Sequence, residues 1–567
     1  MRAEESGRVV APGVLVALLA LAAAIRAGVV LNAPLDPDES QHLQAAWLVG
    51  QGQVPYADFW EHHAPLLYYL LAPLTRWLAE GPAVYFAGRA AMLVGAAGAL
   101  ALVWRLARPL GAAPAASALV LLAFLPSFVE LTTEVRPDVP ALATWLAALL
   151  FLVEWRQRGR PARLWAAGLA LGVTGALTPK AIYGAIGMAV AVAVAAFDGT
   201  PGGPGRSLAG LLRLAAGAGA PVLASLVGLW LAGGAAALDG FVEHVLARNL
   251  DFPDFTKHTP IGAEGLGFGL LAAAGVGLAA RHEGRALLAH PLHGPLLVPA
   301  AVVSAALLLP ATPAVYRHAW LPVVAVGAVY AGLALAELGA WARARRGRGP
   351  AALAVLALVS GLVVPAGASL REALRERNAG QLRVMRLELR HACPGEPVLD
   401  GTGLFVFRPA AHRFRVLING VRYWVANGVV PEERLVEDLQ RSRPRVVYPD
   451  WRVRAMIGPF AGFLEARYVP LPDGLLVPGA SIAARGGVGR ARVELPVPGP
   501  YRLVASPGLE IAIDGRPAAP GLVALDAGDH EVAWSGPGGR VRLVAYTCPE
   551  RRALGASNRL TARGAGD

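Results

Sequence analysis

The chain has 567 residues; 55% are hydrophobic, 16% are charged, and the mean hydropathy is +0.47. A soluble domain carries about 25% charged residues, so this composition excludes a disordered chain and argues against an ordinary cytosolic enzyme. The net charge is +12, from 52 basic and 40 acidic residues. The basics sit largely in short loops between apolar runs, without an RNA-binding motif, zinc-finger spacing or basic region, which argues against a nucleic-acid partner.

A bilayer core about 30 Å thick needs about 20 apolar helical residues, and roughly eleven runs meet that need. The expected fold class is therefore an α-helical polytopic membrane protein. The first run spans 9–30. Its short lead, with Arg2 and Arg8, would suit a signal peptide, but Arg26 stands where cleavage would occur, so a retained span is expected. A polar, aromatic segment from Asn32 to Pro82 follows. Further runs lie near 83–104, 112–130, 138–153, 163–178, 181–197, 208–233, 263–280, 294–313, 319–340 and 350–369. The pair 163–178 and 181–197 is interrupted by Thr178-Pro179-Lys180, which fits two tilted spans or one broken, re-entrant element.

Arginine counting orients the chain. Arg105, Arg108, Arg156, Arg158, Arg160, Arg163, Arg206, Arg213, Arg281, Arg285, Arg343, Arg345, Arg346 and Arg348 fall in one set of loops, and few basics in the other. By the positive-inside rule the N-terminus is cytoplasmic, and an odd number of spans puts the C-terminus outside. The outer loops hold most of the carboxylates, histidines and aromatics near the membrane. A composition rich in Ala, Gly and Arg suits a GC-rich bacterial genome and hence a bacterial inner (plasma) membrane.

From about Glu372 the long apolar runs stop. The expected division is a membrane region 1–371, an extracytoplasmic mixed α/β region 372–477, an extracytoplasmic β-rich region 478–549 and a flexible tail 550–567. Val398–Asp400, Arg415–Ile418 and Val446–Tyr448 read as strands, and Glu432–Arg441 as an amphipathic helix. After Pro478 the alternating, turn-rich pattern reads as an antiparallel sandwich. Cys393 and Cys548 bracket this region. In an oxidising compartment they could form one disulfide; two free buried thiols are the alternative.

Three segments could carry chemistry. Asp36-Pro37-Asp38-Glu39 places three carboxylates just after the first span; beside a membrane such groups are costly unless solvated or used. The plain alternative is a hydrated loop that caps the next helix. Tyr56–Tyr69 holds Glu61, His62 and His63 before Ala64-Pro65-Leu66. On a helix, adjacent histidines point about 100° apart, a poor arrangement for one metal ion. Glu134-Val135-Arg136-Pro137-Asp138 lies on the outer side before the 138–153 run, where Arg136 and Asp138 could simply pair.

The Asp-Glu pair after the first span, the Glu-x-x-x-Pro-Leu segment, the second Asp opening the fourth span and the Thr-Pro-Lys break together resemble one family. It is the GT-C membrane glycosyltransferases of the protein-O-mannosyltransferase and lipid A aminoarabinose transferase type, over residues 10–340. The resemblance implies an inverting transfer of a sugar from a polyprenyl phosphate to a hydroxyl acceptor. By matching residues, Asp38, with Glu39 beside it, takes the place of the catalytic base. Asp138 takes that of the second loop's acid, and Glu61 that of the acid before Pro-Leu. Relatives often carry Lys before the prolines, where this chain has His62-His63-Ala64-Pro65. Asp36, Glu61, His63, Arg136, Lys180, Tyr316 and Arg317 are candidate substrate-binding residues; Arg248 and Lys257 are further outer-face cations. Tyr316-Arg317-His318 resembles the family's late phosphate-side contact, against the alternative of an interfacial anchor. The loop from Asp239 to Pro260 reads as a lid or an interfacial helix.

A monophosphate leaving group can be met by Arg and Lys. No metal ligand set and no cofactor beyond the donor lipid are therefore expected. The expected partners are a lipid-linked sugar donor, a glycan, glycolipid or protein acceptor, and membrane lipids. The competing reading is a transporter or flippase with Asp38, Asp138 and Lys180 at its midplane. Such proteins bury charge within spans and show paired halves, and no paired halves are apparent here.

Overall fold

The computed structural model describes residues 12–195, 203–247, 263–309, 312, 315–346 and 348–554. It divides into two compact units: residues 1–77 with 85–378, and residues 78–84 with 379–567.

The first unit is helical. Its helices are α1 (Pro12–Asn32), α2 (Pro37–Gly50), α3 (Leu66–Trp77), α4 (Ala83–Ala107), α5 (Ala112–Phe124), α6 (Pro126–Leu131), α7 (Asp138–Arg158), α8 (Pro161–Leu177), α9 (Ala181–Val194), α10 (Gly203–Phe241), α11 (Ala263–Glu283), α12 (His293–Leu308), α13 (Leu321–Arg346) and α14 (Arg348–Glu376). Among the described residues five helices are long and apolar enough to cross a membrane, and three shorter apolar ones accompany them. The elements follow the apolar runs closely, with breaks where chain chemistry demands them. Leu125-Pro126 splits the 112–130 run, because proline removes a helix donor. Thr178-Pro179-Lys180 separates α8 from α9, so the interrupted pair forms two helices. Gly159, in the left-handed region at φ 66°, ends α7. The helices α8 and α10 approach backbone to backbone: a Cβ on Gly168 would lie 2.4 Å from the Leu214 carbonyl oxygen, and one on Gly172 would lie 2.3 Å from that of Ala218. This is the small-xxx-small packing of membrane helices.

In the second unit, β1 (Val398–Asp400) and β2 (Val446–Tyr448) pair in parallel. Around them are α15 (Ala379–His391), α16 (Asn419–Ala426), α17 (Glu432–Ser442), α18 (Trp451–Arg454) and α19 (Gly458–Arg467). The remaining strands are β3 (Tyr468–Pro470), β4 (Leu476–Ala484), β5 (Gly489–Leu495), β6 (Gly499–Ala505), β7 (Glu510–Ile513), β8 (Arg516–Ala518), β9 (Gly521–Leu525), β10 (Gly528–Ser535) and β11 (Gly539–Ala545). One sheet runs β1-β2-β4-β11-β6-β9 with β3 on β4, and a second runs β5-β10-β7-β8. The alternation of β10 and β11 buries Val532, Trp534, Val541 and Leu543 in a shared core. Arg415–Ile418, expected as a strand, is not one: Arg415 sits at φ 63°, outside the extended region, and the segment is an irregular buried turn. Cys393 and Cys548 form a disulfide with Cα atoms 5.1 Å apart, so the open choice falls to the bonded form.

Candidate active site

The acidic loop after α1 is ordered by its own side chains. Asp36 caps α2 by accepting the Asp38 N–H at 2.8 Å, while Glu39 accepts the Asp36 N–H at 3.0 Å. This reciprocal capping box, with Pro37 at the first helical position, explains why the helix begins there. Glu39 is fully buried. It takes a bidentate pair from Arg89 of α4 at 2.8 and 2.7 Å and the Val135 N–H at 3.1 Å. Arg89 also donates to the Val30, Ala33 and Pro34 carbonyls. The pair thus ties the end of α1, the start of α2, the second turn of α4 and the 134–136 loop to one point.

Asp38 meets Arg136 at 2.8 Å, and the same guanidinium reaches Asp36 at 3.6 Å, Glu134 at 3.5 Å and Asp138 at 3.9 Å. Lys180, at the α8–α9 break, donates to Asp138 at 3.3 Å. His318 closes the group by pairing with Glu134 at 3.0 Å. Burial alone would raise the Asp38 carboxyl, but Arg136 overrides it, helped by His63, His42 and His62, and holds the group well below the usual carboxylate range. Asp36 moves the other way, raised by burial and by the Asp38 charge beside it. Glu134 is raised by burial but lowered further by His318 and Arg136, so it stays ionised.

A second polar cluster lies on the next segment. Glu61 is buried and accepts from Gln41 at 2.8 Å, from the His62 and His63 backbones at 2.9 and 3.2 Å, and from the His63 ring at 3.0 Å. The expectation that His62 and His63 point apart assumed a helix. Residues 61–63 are irregular, and the two rings lie 4.0 Å apart beside one carboxylate. One ligand atom each of Glu61, His62 and His63 lie within 4.8 Å of one another, so this trio could hold a metal ion. His42, one turn beyond Asp38 on α2, packs on the His63 ring at 4.6 Å. Its Nε2 is buried without a partner.

A small pocket opens beside the acidic group. Asp138, Lys180, His318, Thr174 and Thr178 supply its polar lining; Ala141, Leu142, Trp145, Val303 and Leu307 supply apolar walls. The Trp145 Nε1 is buried there without a partner.

Of the sequence-derived candidates, Asp36, Asp38, Arg136, Asp138 and Lys180 are joined by ion pairs, and Glu39 buttresses them. Glu61 and His63 form the neighbouring cluster. Arg317 pairs instead with Glu130 at 3.4 Å, Glu130 being held by Ser369 at 2.7 Å. Tyr316 immediately precedes the single turn Arg317–Trp320. Arg248, Lys257 and the rest of the loop beyond Ala247 lie outside the described residues. Sequence reasoning missed Arg89 and the roles of His42, Glu134 and His318. A lone arginine inside an apolar run was the available signal for Arg89. For His42 it was the i, i+4 spacing from Asp38.

Residues 62–215 match the family model described as "Dolichyl-phosphate-mannose-protein mannosyltransferase". The match contains Arg136, Asp138 and Lys180. A search of curated proteins finds no match. Among solved structures, ArnT from Cupriavidus metallidurans bound to undecaprenyl phosphate superposes with a TM-score of 0.54 at 13% identity, over 83% of this chain and 98% of that one. The Archaeoglobus fulgidus oligosaccharyltransferase in the apo form gives 0.45 at 14% identity, over 82% and 74%. Arabinosyltransferase EmbB from Mycobacterium smegmatis gives 0.40 at 13% identity, over 95% and 64%. At such identity the ArnT likeness speaks for the fold, and the other two scores carry no argument. The chain is a multi-pass membrane protein that carries the fold of the GT-C membrane glycosyltransferases, and its residues 62–215 carry the family match.

Proposed function

We propose that this chain is an inverting glycosyltransferase of a bacterial inner membrane, acting at its extracytoplasmic face. It takes a sugar from a polyprenyl-phosphate donor and gives it to a hydroxyl of a glycan, glycolipid or protein acceptor. The observation that carries the reading is the convergence of Asp38, Arg136, Asp138 and Lys180 beside a cavity with a polar mouth and apolar walls.

In this reading Asp38 is the base. It accepts the acceptor's proton as the oxygen bonds to the anomeric carbon and the bond from that carbon to the phosphate oxygen breaks. Arg136 keeps Asp38 ionised and aimed. Its basicity is correspondingly low, so proton transfer comes late, when bond formation has made the hydroxyl acidic. Asp138 positions Lys180, and Lys180 with Arg317 meets the charge that develops on the leaving phosphate. Trp145 offers its indole N–H to the donor headgroup. Glu39, with both oxygens occupied, is a positioning residue rather than a reacting one. The leaving monophosphate is served by side-chain cations, so no metal is assigned a step. A transporter would spread its ionisable groups along a pathway, whereas Asp38, Arg136, Asp138 and Lys180 form one ion-paired group, of which Asp138 and Lys180 line the cavity.

Comparison of glycolipids and glycoproteins between a deletion strain and its parent tests the reading. Loss of one sugar from one acceptor class, restored by the parent gene and not by Asp38→Asn, is the expected result. Unchanged glycans, with altered export of a lipid or solute, would favour the transporter.

A further inference from the structure

We propose that Glu283, His290 and His293 form a zinc site at the end of the helical unit opposite the acidic cluster. Two helices place it there independently. His293 opens α12, and the far end of that helix contributes Val303 and Leu307 to the acidic cavity; its 16 residues span about 24 Å at 1.5 Å each. Arg156, in the last turn of α7, donates to the Ala289 carbonyl at 2.7 Å, while Asp138 begins that same helix. The two sites are therefore distinct.

One ligand atom from each of the three side chains lies within 4.8 Å of the others. Glu283 is the last residue of α11, and a tight turn returns the chain to it. The His290 N–H bonds the Ala286 carbonyl at 2.8 Å, and the Gly294 N–H bonds that of His290 at 3.1 Å. A Cβ at Gly294 would stand 2.1 Å from the Leu288 carbonyl oxygen, so glycine is needed for this closure. The turn sets the two imidazoles 4.6 Å apart at a 32° tilt.

The chemistry favours a shared cation over a simple pair. His290 Nε2 and the Glu283 carboxylate stand 3.9 Å apart, too far for a hydrogen bond. The gap suits an ion bonded to both at about 2.0–2.2 Å after a small side-chain adjustment. His293 is buried, and its Nδ1 meets the Tyr330 hydroxyl at 3.0 Å. That bond fixes the ring and leaves Nε2 for an ion, the outer-shell arrangement typical of metal-bound histidine. The His290 Nδ1 accepts the Leu292 N–H at 3.2 Å; ligation through Nε2 puts a proton on Nδ1 and gives up this long contact. Such a loss is small against coordination. Glu283 and His290 keep about a third of their exposure, so an ion can enter and water can complete a tetrahedron. Two imidazoles and one carboxylate form a zinc ligand set. The ion would clip α11 to α12, with Tyr330 of α13 behind it.

The test uses the full chain in detergent, stripped with a chelator and titrated with Zn²⁺ against a chromophoric competitor. The Glu61–His62–His63 trio could also bind, so the measurement is a difference: parent against Glu283→Gln and against His290→Asn, both at partly exposed positions. Loss of one tight equivalent in each variant, together with loss of the zinc-induced rise in Tm, is expected. Retention of the parent's full stoichiometry, or absence of tight zinc in the parent, would overturn the site. Should either variant fold poorly, histidine modification of the parent decides: zinc must protect His290, and unprotected modification at saturating Zn²⁺ sinks the proposal.

Discussion

Asp36 and Asp38 stand two residues apart and titrate in opposite directions: burial raises Asp36, and Arg136 decides which of the two keeps the charge. Arg136 lies 2.8 Å from Asp38 but 3.6 Å from Asp36, so it favours the charge on Asp38, and that charge in turn disfavours one on Asp36. If Asp38 is the base, Asp38→Asn keeps the shape and removes proton acceptance. Turnover should fall by about 10²-fold or more, with donor affinity little changed. Asp36→Asn should cost much less. The reverse ranking in a purified transfer assay would move the base to Asp36. Arg317 bears on the donor. Its partner Glu130 is partly exposed and 3.4 Å away, a single long contact that leaves other donors of the fork for a ligand. Arg317→Ala should weaken use of the lipid phosphate by roughly 10–150-fold, the worth of a hydrogen bond to a charged group. Arg317→Lys should recover only part, since the point charge returns without the planar fork. An unchanged donor affinity in correctly folded Arg317→Ala protein would remove this residue from the site.

At the scale of elements, buried charge decides how pieces are held and how they respond to pH. Glu39 and Arg89 are both buried and fasten α2, α4 and the 134–136 loop. Removing one partner leaves the other charge unpaired, at a cost of about 3–5 kcal/mol. Arg89→Leu should therefore lower the Tm and the folded yield sharply, whereas wild-type thermal stability in that variant would show the strut to be dispensable. In the second unit, Glu388 of α15 and Asp400 at the end of β1 are fully buried, and the nearby Asp400 carboxyl disfavours a charge on Glu388. Burial, then the Asp450 carboxylate, pushes Asp400 up to about 8; burial and Asp400 push Glu388 well above its ordinary value. Both folded values lie above the unfolded ones, so between about pH 4 and pH 8 the folded state binds more protons. Stability should fall as pH rises across that window, by up to about 1.4 kcal/mol per pH unit per proton. Glu388→Gln, which cannot titrate, should flatten the slope in thermal unfolding; an undiminished slope would place the proton elsewhere. These pairings were the part of the molecule least legible in sequence. Apolar runs located α4 through α14, although α10, α13 and α14 run on past their expected ends and the 112–130 run splits into α5 and α6, and alternation located β10 and β11, because burial periodicity is local. That Arg89 finds Glu39, or Asp400 finds Glu388, depends on packing across tens of residues and has no spacing to read. The missed turn at Arg415 is the same lesson, since buried apolar residues resemble a strand until a left-handed residue bends them.

For the whole molecule, the arginine asymmetry and the disulfide bear on topology from independent physics. Positive-inside counting predicts a cytoplasmic N-terminus and a second unit outside. The Cys393–Cys548 bond requires an oxidising compartment to persist, and an extracytoplasmic face supplies one. The bridge joins α15 to the segment after β11 and is reinforced by Arg551, whose fork pairs with Glu396 at 2.6 and 2.5 Å. Its sequence separation of 155 residues closes a long loop. In the chain-entropy account that restricts the unfolded state by up to about 5 kcal/mol, less any native strain. Two results should then coincide. A reporter active only outside the cytoplasm, fused at Gly474, should be active, and the same reporter at Arg160 should be silent. Thiol labelling of unfolded, non-reduced protein should find no free cysteine, and Cys393→Ser/Cys548→Ser should unfold the second unit at lower temperature. An active reporter at Arg160 would invert the orientation, and two labelled thiols per chain would remove the bridge and, with it, the redox argument for an outer face.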